Sequence, residues 1–506
     1  MTIYRSGAAW AGGAILCMAG GAAIADVTPA QVWADWSAGM AGYGLTVTAQ
    51  ETPSGNDLKL SDIVLSKDAP EEGADAEVSF PEMTLRDNGD GTVTVDLPDR
   101  LPVAVAVNGE EPVSFTLVYT TADMDMTVSG DPSEMIYAYK AASVGIALTD
   151  LVSEGKPVDI ETATISMQDV ESNTKVTAGD LRQTDQQISS GPVTYEVVLN
   201  DLDEDVSKFN LTGRLDTVTM MGKVAIPGGV GLDDMAAALA AGFAADGSYT
   251  FGPGTSSTEI TQEDGVTQTG TTSAGGVLSV KMTDEIIHYG ATTNDLAVNV
   301  RSPSLPFPIE MAMKEAKFGL DMPIAEKQEA QDFGLNLLLG DLTVSDAIWA
   351  MFDAGAKLPR DPASLVVDLS GKARVMANLM DPARMKAIED SDQIPAEVDA
   401  LSLNRLLLRL AGAELAGKGS LTFDNSDKKT YDGIPKPVGD IDLSLTGSNA
   451  LLDRLVAMGL VPQDQVMGVR MMMSVFTVPG EGEDVLKSKI EFTDNGQILA
   501  NGQRLK

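Results

Sequence analysis

The chain has 506 residues, of which 74 are acidic and 35 are basic, so its formal net charge is −39. Such a negative surface repels phosphate groups, which excludes a nucleic-acid-binding protein and disfavours attachment to anionic membranes. Hydrophobic residues make up 43% of the sequence, as in globular rather than disordered proteins, and the length predicts two or three domains.

Residues 1–25 predict a signal peptide that is removed on export. A basic residue precedes a short apolar stretch over residues 8–22, and Ala23 and Ala25 form a small-residue cleavage motif directly before Asp26. The stretch is too short and too rich in glycine to span a membrane, and no later segment is long and apolar enough to do so. We therefore expect an exported protein without a transmembrane segment.

The region 26–230 predicts antiparallel strands preceded by one helix. Thr28 can cap a short amphipathic helix over residues 29–40. Beyond it, apolar and polar residues alternate, which is typical of strands with one buried face. Turn signals at residues 87–91 and at Asn108-Gly109 are each flanked by alternating apolar residues, so we expect a hairpin at both places.

The region 231–448 predicts a second β-rich region. Residues 232–245 are rich in alanine and predict a helix, whereas the Gly-, Ser- and Thr-rich segment 246–276 favours exposed strands over a linker. Further along, a strongly alternating run predicts a strand with one apolar face. The apolar residues of that run are Phe333, Leu335, Leu337 and Leu339.

The C-terminal region 449–506 predicts a helix–helix–hairpin unit. Asn449 can cap a helix over residues 450–458, which a glycine ends, and a proline opens a second helix over residues 462–476. Asp-Asn-Gly at residues 494–496 then predicts a hairpin turn.

Few residues in the chain indicate a catalytic or metal-binding site. Cys17 is the only cysteine and lies in the leader, so no disulfide forms within the chain. A Ser-His-Asp triad would need His288, the only histidine, but no Gly-x-Ser-x-Gly motif occurs. One histidine cannot supply the several nitrogen or sulfur ligands of a zinc site, so we interpret His288 as structural or exposed. Acidic runs around Asp90 and Asp203 match some positions of a calcium loop, but the residues at its other required positions are wrong, so we interpret both as acidic hairpin turns. Methionine clusters such as residues 471–473 fit core packing better than copper binding. We predict no catalytic residue, metal or cofactor.

Two stretches of the sequence resemble, over their full length, sequences of the uncharacterised family called domain of unknown function 2125. The first is Gly-Asp-Leu-Thr-Val-Ser-Asp-Ala-Ile-Trp-Ala-Met-Phe at residues 340–352, continuing to Leu365, and the second spans residues 451–505. Residues 26–29 and 32–33 also fit. The family consists of exported alphaproteobacterial proteins, so the resemblance implies a Gram-negative periplasm and carries over no catalytic residues. A looser architectural likeness links the long one-faced strands to AsmA-type envelope proteins.

The expected fold is mainly β, with extended, curved antiparallel sheets and a few short packed helices. The leading functional hypothesis is a non-enzymatic periplasmic protein that binds lipid or another apolar ligand along a curved sheet. The apolar faces could equally close on each other as in a sandwich or barrel. An envelope scaffold that binds a protein partner through a strand edge, and a carboxylate-dependent hydrolase, remain open alternatives.

Overall fold

The computed structural model describes residues 26–67, 75–202, 205–391 and 393–506. Strands account for 61% of these residues and helices for 13%, which confirms the mainly β fold. The strand pairs described below are all antiparallel. Within these residues, no helix combines the length and the apolarity needed to cross a membrane. The predicted cleavage motif at Ala23 and Ala25 lies outside the described residues.

The chain folds into two compact units. Unit 1 comprises the described residues up to Gly275 together with Arg301–Leu305, and unit 2 comprises Gly276–Val300 and Pro306–Lys506. These units are defined by packing and do not test the three regions predicted from the sequence.

Unit 1 consists of long hairpins with two short helices. The helices are α1 (Pro29–Gly42) and α2 (Met235–Ala240). The first strands are β1 (Thr46–Ser54), β2 (Asp57–Lys67), β3 (Asp75–Asp87), β4 (Val93–Asp96), β5 (Arg100–Asn108), β6 (Val113–Ala122), β7 (Asp125–Asp131), β8 (Glu134–Ser153) and β9 (Lys156–Pro157). The others are β10 (Ile160–Thr177), β11 (Leu181–Ser190), β12 (Val193–Asn200), β13 (Val206–Leu215), β14 (Val218–Pro227), β15 (Ala244–Phe251), β16 (Gly254–Gln262) and β17 (Gly265–Ser273). The predicted hairpins β3–β4 and β5–β6 are both confirmed.

Unit 1 contains a closed hydrophobic core. Thr28 and Gln31 form a capping box that starts α1, and Val32 of this helix is completely buried against the sheet. The largest fully buried side chains of this core are Tyr137, Leu60, Ile63, Met83, Leu85 and Leu101. Because each such side chain contributes about 1.5–3 kcal/mol on burial, this cluster is the main source of stability in unit 1.

Unit 2 continues the antiparallel pattern with four helices. Its strands are β18 (Gly275–Met282), β19 (Ile286–Arg301), β20 (Ile309–Pro323), β21 (Gln331–Val344), β22 (Ala363–Val375), β23 (Ala396–Leu410), β24 (Ala413–Asp424), β25 (Lys436–Thr446), β26 (Val478–Pro479), β27 (Val485–Phe492), β28 (Ile498–Ala500) and β29 (Gln503–Arg504). Its helices are α3 (Asp346–Phe352), α4 (Pro382–Asp390), α5 (Ser448–Ala457) and α6 (Gln463–Phe476).

One predicted helix is shorter in the structure, and two further helices were not predicted. The helix predicted over residues 232–245 is confined to α2, because Gly242 adopts a φ of 104° and β15 begins at Ala244. The helices α3 and α4 have only seven and nine residues and were not predicted, since so short a segment carries little helical periodicity.

Candidate functional site

The four apolar residues singled out on β21 are part of a much wider apolar surface. Directly paired residues of antiparallel strands project on the same side of a sheet, so the register shows which side chains are neighbours. The first row contains Ala316, Leu339, Leu365 and Leu408, the second Phe318, Leu337, Val367 and Leu406, and the third Leu320, Leu335, Leu369 and Leu403. We call these three rows, together with Phe333, the apolar face of unit 2.

The apolar face continues beyond β23. The first row extends through Leu415, Leu445 and Leu486, and the third through Ile441 and Ile490. No charged residue interrupts the rows within these paired positions. The surface therefore crosses seven strands, from β20 to β25 and on to β27.

No residue of the apolar face is buried. The four predicted residues are half-buried, and Phe318 and Leu408 are 41% and 43% exposed. On the other side of the same strands, Val366 and Leu407 are only 7% and 8% exposed. Val366 and Leu407 are thus enclosed on one side of these strands, whereas no residue of the leucine-rich side is buried.

A glycine makes room for one of the aromatic rings on this surface. A methyl group on Gly371 would lie 2.3 Å from Cζ of Phe333 and 2.5 Å from the carbonyl oxygen of Ala400. The phenyl ring therefore lies directly over Gly371, which is its cross-strand partner. Any larger residue at this position would push the ring away from the sheet.

Two polar irregularities interrupt the strand pairing at the apolar face. The register of β21 and β22 shifts just after Leu339, where Asp341 adopts a φ of 52° and its backbone N–H donates to Ser364 Oγ at 3.0 Å. A second irregularity lies on β23 at Asn404, whose amide donates to Asp368 Oδ1 at 3.0 Å. Such bulges bend strands and redirect side chains. The first lies just beyond the first apolar row, whereas the second lies within the apolar face, between Leu403 and Leu406.

The two acidic runs that resemble calcium loops contain Asp90 and Asp203. Asp90 lies in the turn after β3 and accepts hydrogen bonds from the hydroxyl and the backbone N–H of Thr92, which lower the pKa of its carboxyl. The acidic run containing Asp203 lies partly outside the described residues. Within the part of the chain that the structure describes, no three His, Cys, Asp or Glu side chains converge in a way that could hold a metal ion.

The prediction of core packing for residues 471–473 is wrong for two of the three methionines. Met471 and Met472 are 68% and 63% exposed, because α6 buries only Val466 against the rest of unit 2. The helical pattern gave the correct secondary structure, but it did not show which side of the helix is covered.

These features define a class: a β-rich protein that encloses a core in one unit and leaves a leucine-rich sheet face uncovered in the other. The profile of the family described as "Uncharacterized protein conserved in bacteria (DUF2125)" matches residues 232–503, just over half of the chain. The chain belongs to this family, as its two characteristic phrases predicted. No curated protein and no solved structure matches it. The likeness to AsmA-type proteins stays a prediction.

Proposed function

We propose that the protein is exported to the periplasm and binds lipid or another apolar ligand on the apolar face of unit 2. The observation that carries the proposal is that Phe333, Leu335, Leu337 and Leu339 belong to continuous apolar rows of which no member is buried. A protein with 74 acidic residues has enough polar side chains to mask such a surface, yet these rows contain none.

The dimensions of the apolar face suit an acyl chain. The distance from Phe333 to Leu339 is about 20 Å at the usual rise of an antiparallel strand, which exceeds the thickness of one hydrocarbon leaflet, about 15 Å. Four strands at ordinary spacing are about 15 Å wide, so this part alone covers on the order of 300 Å². Exposed apolar patches of that size mark interaction sites in many proteins.

The alternative of a sheet that closes on itself describes unit 1 well but unit 2 poorly. Unit 1 contains completely buried residues such as Leu60 and Val103, whereas the leucines of β21 are half-buried at best. Covering them would release water from apolar surface, at roughly 25 cal/mol per Å². An apolar ligand that lies along the strands would gain this energy on binding.

The test places a charge in the middle of the apolar face. Leu337→Asp should abolish the co-purification of lipid, because a carboxylate buried against an acyl chain loses its hydration without gaining a partner. The matched control is Asn336→Asp, which adds the same charge one residue away on the other side of β21. The measurement is mass spectrometry of lipids extracted from protein purified from its native envelope, with the mass of the chain showing whether it begins at Asp26.

The two variants must first give thermal transitions within a few degrees of the unaltered protein. Lipid present in the unaltered protein and in the Asn336→Asp variant, but absent from the Leu337→Asp variant, would support the proposal. Unaltered protein that carries no lipid, or equal lipid in both variants, would contradict it.

A further inference from the structure

The only histidine lies in a chain of hydrogen bonds that the sequence did not predict. His288 on β19 is the direct cross-strand partner of Asp321 on β20, and its Nδ1 lies 2.8 Å from Asp321 Oδ1. On the other side of the ring, Nε2 lies 3.3 Å from Oγ of Ser279 on β18. All three residues belong to unit 2.

The chemistry of the three groups determines the direction of the hydrogen bonds. An ionised carboxylate only accepts hydrogen bonds, so in the neutral imidazole the proton is on Nδ1, which donates to Asp321. The lone pair of Nε2 then faces the hydroxyl of Ser279 and accepts its hydrogen. A hydroxyl, an imidazole base and an orienting carboxylate in this order are the arrangement that activates a serine as a nucleophile.

A neighbouring glycine makes room for this contact. A methyl group on Gly290 would lie 2.3 Å from Ser279 Oγ and 3.2 Å from His288 Nε2. The hydroxyl and the imidazole therefore occupy the space that a side chain at residue 290 would take. The site is also open to reactants, since the side chains of His288 and Asp321 are 35% and 51% exposed.

We propose that Ser279 is a reactive nucleophile towards neutral carboxylic esters, with His288 as its general base and Asp321 as a positioning residue. The proposal is independent of the apolar face. Leu320, in the third apolar row, is the cross-strand partner of Tyr289, and His288 is the residue before Tyr289 on β19. Because successive residues of a strand point to opposite sides of the sheet, His288 lies on the side away from the apolar face. Neutral esters are specified because the net charge of −39 repels anionic substrates.

The reaction proceeds in two balanced steps. Ser279 Oγ forms a bond to the ester carbonyl carbon while its proton passes to His288 Nε2, and the ester C–O bond then breaks as the alcohol leaves with that proton. Water next attacks the acyl-serine and transfers a proton to Nε2. Ser279 Oγ leaves with this proton, and a carboxylic acid is released.

The readout is covalent labelling of the full chain by a neutral fluorophosphonate, which attaches phosphorus to the serine oxygen and releases fluoride. We expect one adduct, which peptide mapping places on Ser279, and at least a tenfold lower labelling rate in the His288→Ala variant. Gly290→Ala should have the same effect, although it retains all three reactive groups, because its methyl group displaces the hydroxyl. Hydrolysis of p-nitrophenyl acetate should fall in parallel.

Two further variants separate reactivity from structure. Ser370→Ala removes a serine of β22 whose hydroxyl lies 3.3 Å from Asn404 Oδ1, and labelling should be unchanged. Asp321→Asn should slow labelling, and Asp321→Glu should restore part of the rate while the thermal transitions of both stay equal. Labelling of Ser279 no faster than that of Ser370, or labelling unaffected by His288→Ala and Gly290→Ala, would overturn the proposal. The three residues would then be a polar row that only stabilises the strands.

Discussion

Asp35 of α1 is the most enclosed charged residue of unit 1 that makes an ion pair. It is 8% exposed, and its two carboxylate oxygens accept hydrogen bonds from Arg182 Nη1 and Nη2 at 2.6 and 2.9 Å. The hydroxyl of Tyr137 donates to the same carboxylate, and burial together with the negative charge of Asp35 raises the pKa of this hydroxyl well above its ordinary value. These contacts fix α1 to β8 and β11.

Removing this carboxylate should destabilise unit 1 strongly. In Asp35→Ala, Arg182 keeps a mostly buried charge without its partner, which typically costs about 3–5 kcal/mol. The matched control is Glu171→Ala, which removes the partner of Lys140 from a pair whose side chains are 61% and 70% exposed, and should cost less than about 1 kcal/mol. Urea unfolding followed by tryptophan fluorescence measures both changes, and equal losses would show that the enclosed pair is not an anchor.

The sequence could place Asp35 on a helix but could not identify its partner. The period of the apolar residues predicts α1 from local information alone. Arg182 is 147 residues away, and nothing in the local pattern of β11 marks one arginine as buried. The same holds for His288, since the register that brings Asp321 beside it depends on the pairing of whole strands.

At the scale of elements, the two predicted ends of α5 had different outcomes. The glycine after α5 ends that helix as predicted, with Gly459 at a φ of 73°. The prediction that Asn449 caps α5 is wrong, because the helix begins at Ser448 and its free N–H groups are bound by Asp484 from a distant loop. Asn449 itself donates its side-chain amide to Asp484 Oδ1 at 2.8 Å.

The remote cap predicts a pH dependence. Burial on its own would raise the pKa of Asp484, but hydrogen bonds from the backbone of Ala450 and from Asn449, with the charge of Arg470, lower it below the ordinary value of 3.8. A lowered folded-state pKa stabilises the protein above the unfolded-state pKa, and this contribution is lost as the pH falls through the folded-state value. The cap should therefore act fully above about pH 5 and fade below about pH 4.

The comparison of the unaltered protein with Asp484→Asn measures this contribution. The difference in unfolding free energy should be about 1 kcal/mol at neutral pH, as for other lost caps, and should shrink towards zero in acid. Asp494→Asn, an exposed change in the following hairpin turn, should stay within about 0.5 kcal/mol at neutral pH. A difference between the unaltered protein and Asp484→Asn that grows as the pH falls would reverse the sign and rule out the cap.

At the scale of the whole molecule, the mainly β fold could be predicted because period-two alternation is local. The same alternation predicts that Phe333 and Leu337 lie on one side of a strand, as they do. It does not predict whether that side is covered, because strands of unit 1 and unit 2 show the same pattern. Leu60 and Leu337 both belong to a series of apolar residues at every second position, yet only Leu60 is enclosed. What covers a face depends on tertiary packing, which the local pattern does not contain.

The excess of acidic residues predicts how the whole molecule responds to salt. With 74 acidic and 35 basic residues, repulsion among carboxylates outweighs attraction. Several ion pairs, such as Lys140–Glu171 and Lys223–Asp185, are largely exposed, which makes each of them weak. Added salt shortens the Debye length from about 10 Å at 0.1 M to about 3 Å at 1 M, so it screens the long-range repulsion most.

The midpoint of thermal unfolding should therefore rise by a few degrees between about 20 mM and about 0.5 M sodium chloride. Potassium chloride should produce the same rise, because screening depends on ionic strength and not on the identity of the cation. Calcium chloride at equal ionic strength is the discriminating comparison, since a much larger rise would indicate a bound divalent ion. A midpoint that falls with sodium chloride would show that the exposed ion pairs stabilise the fold more than the net charge of −39 destabilises it.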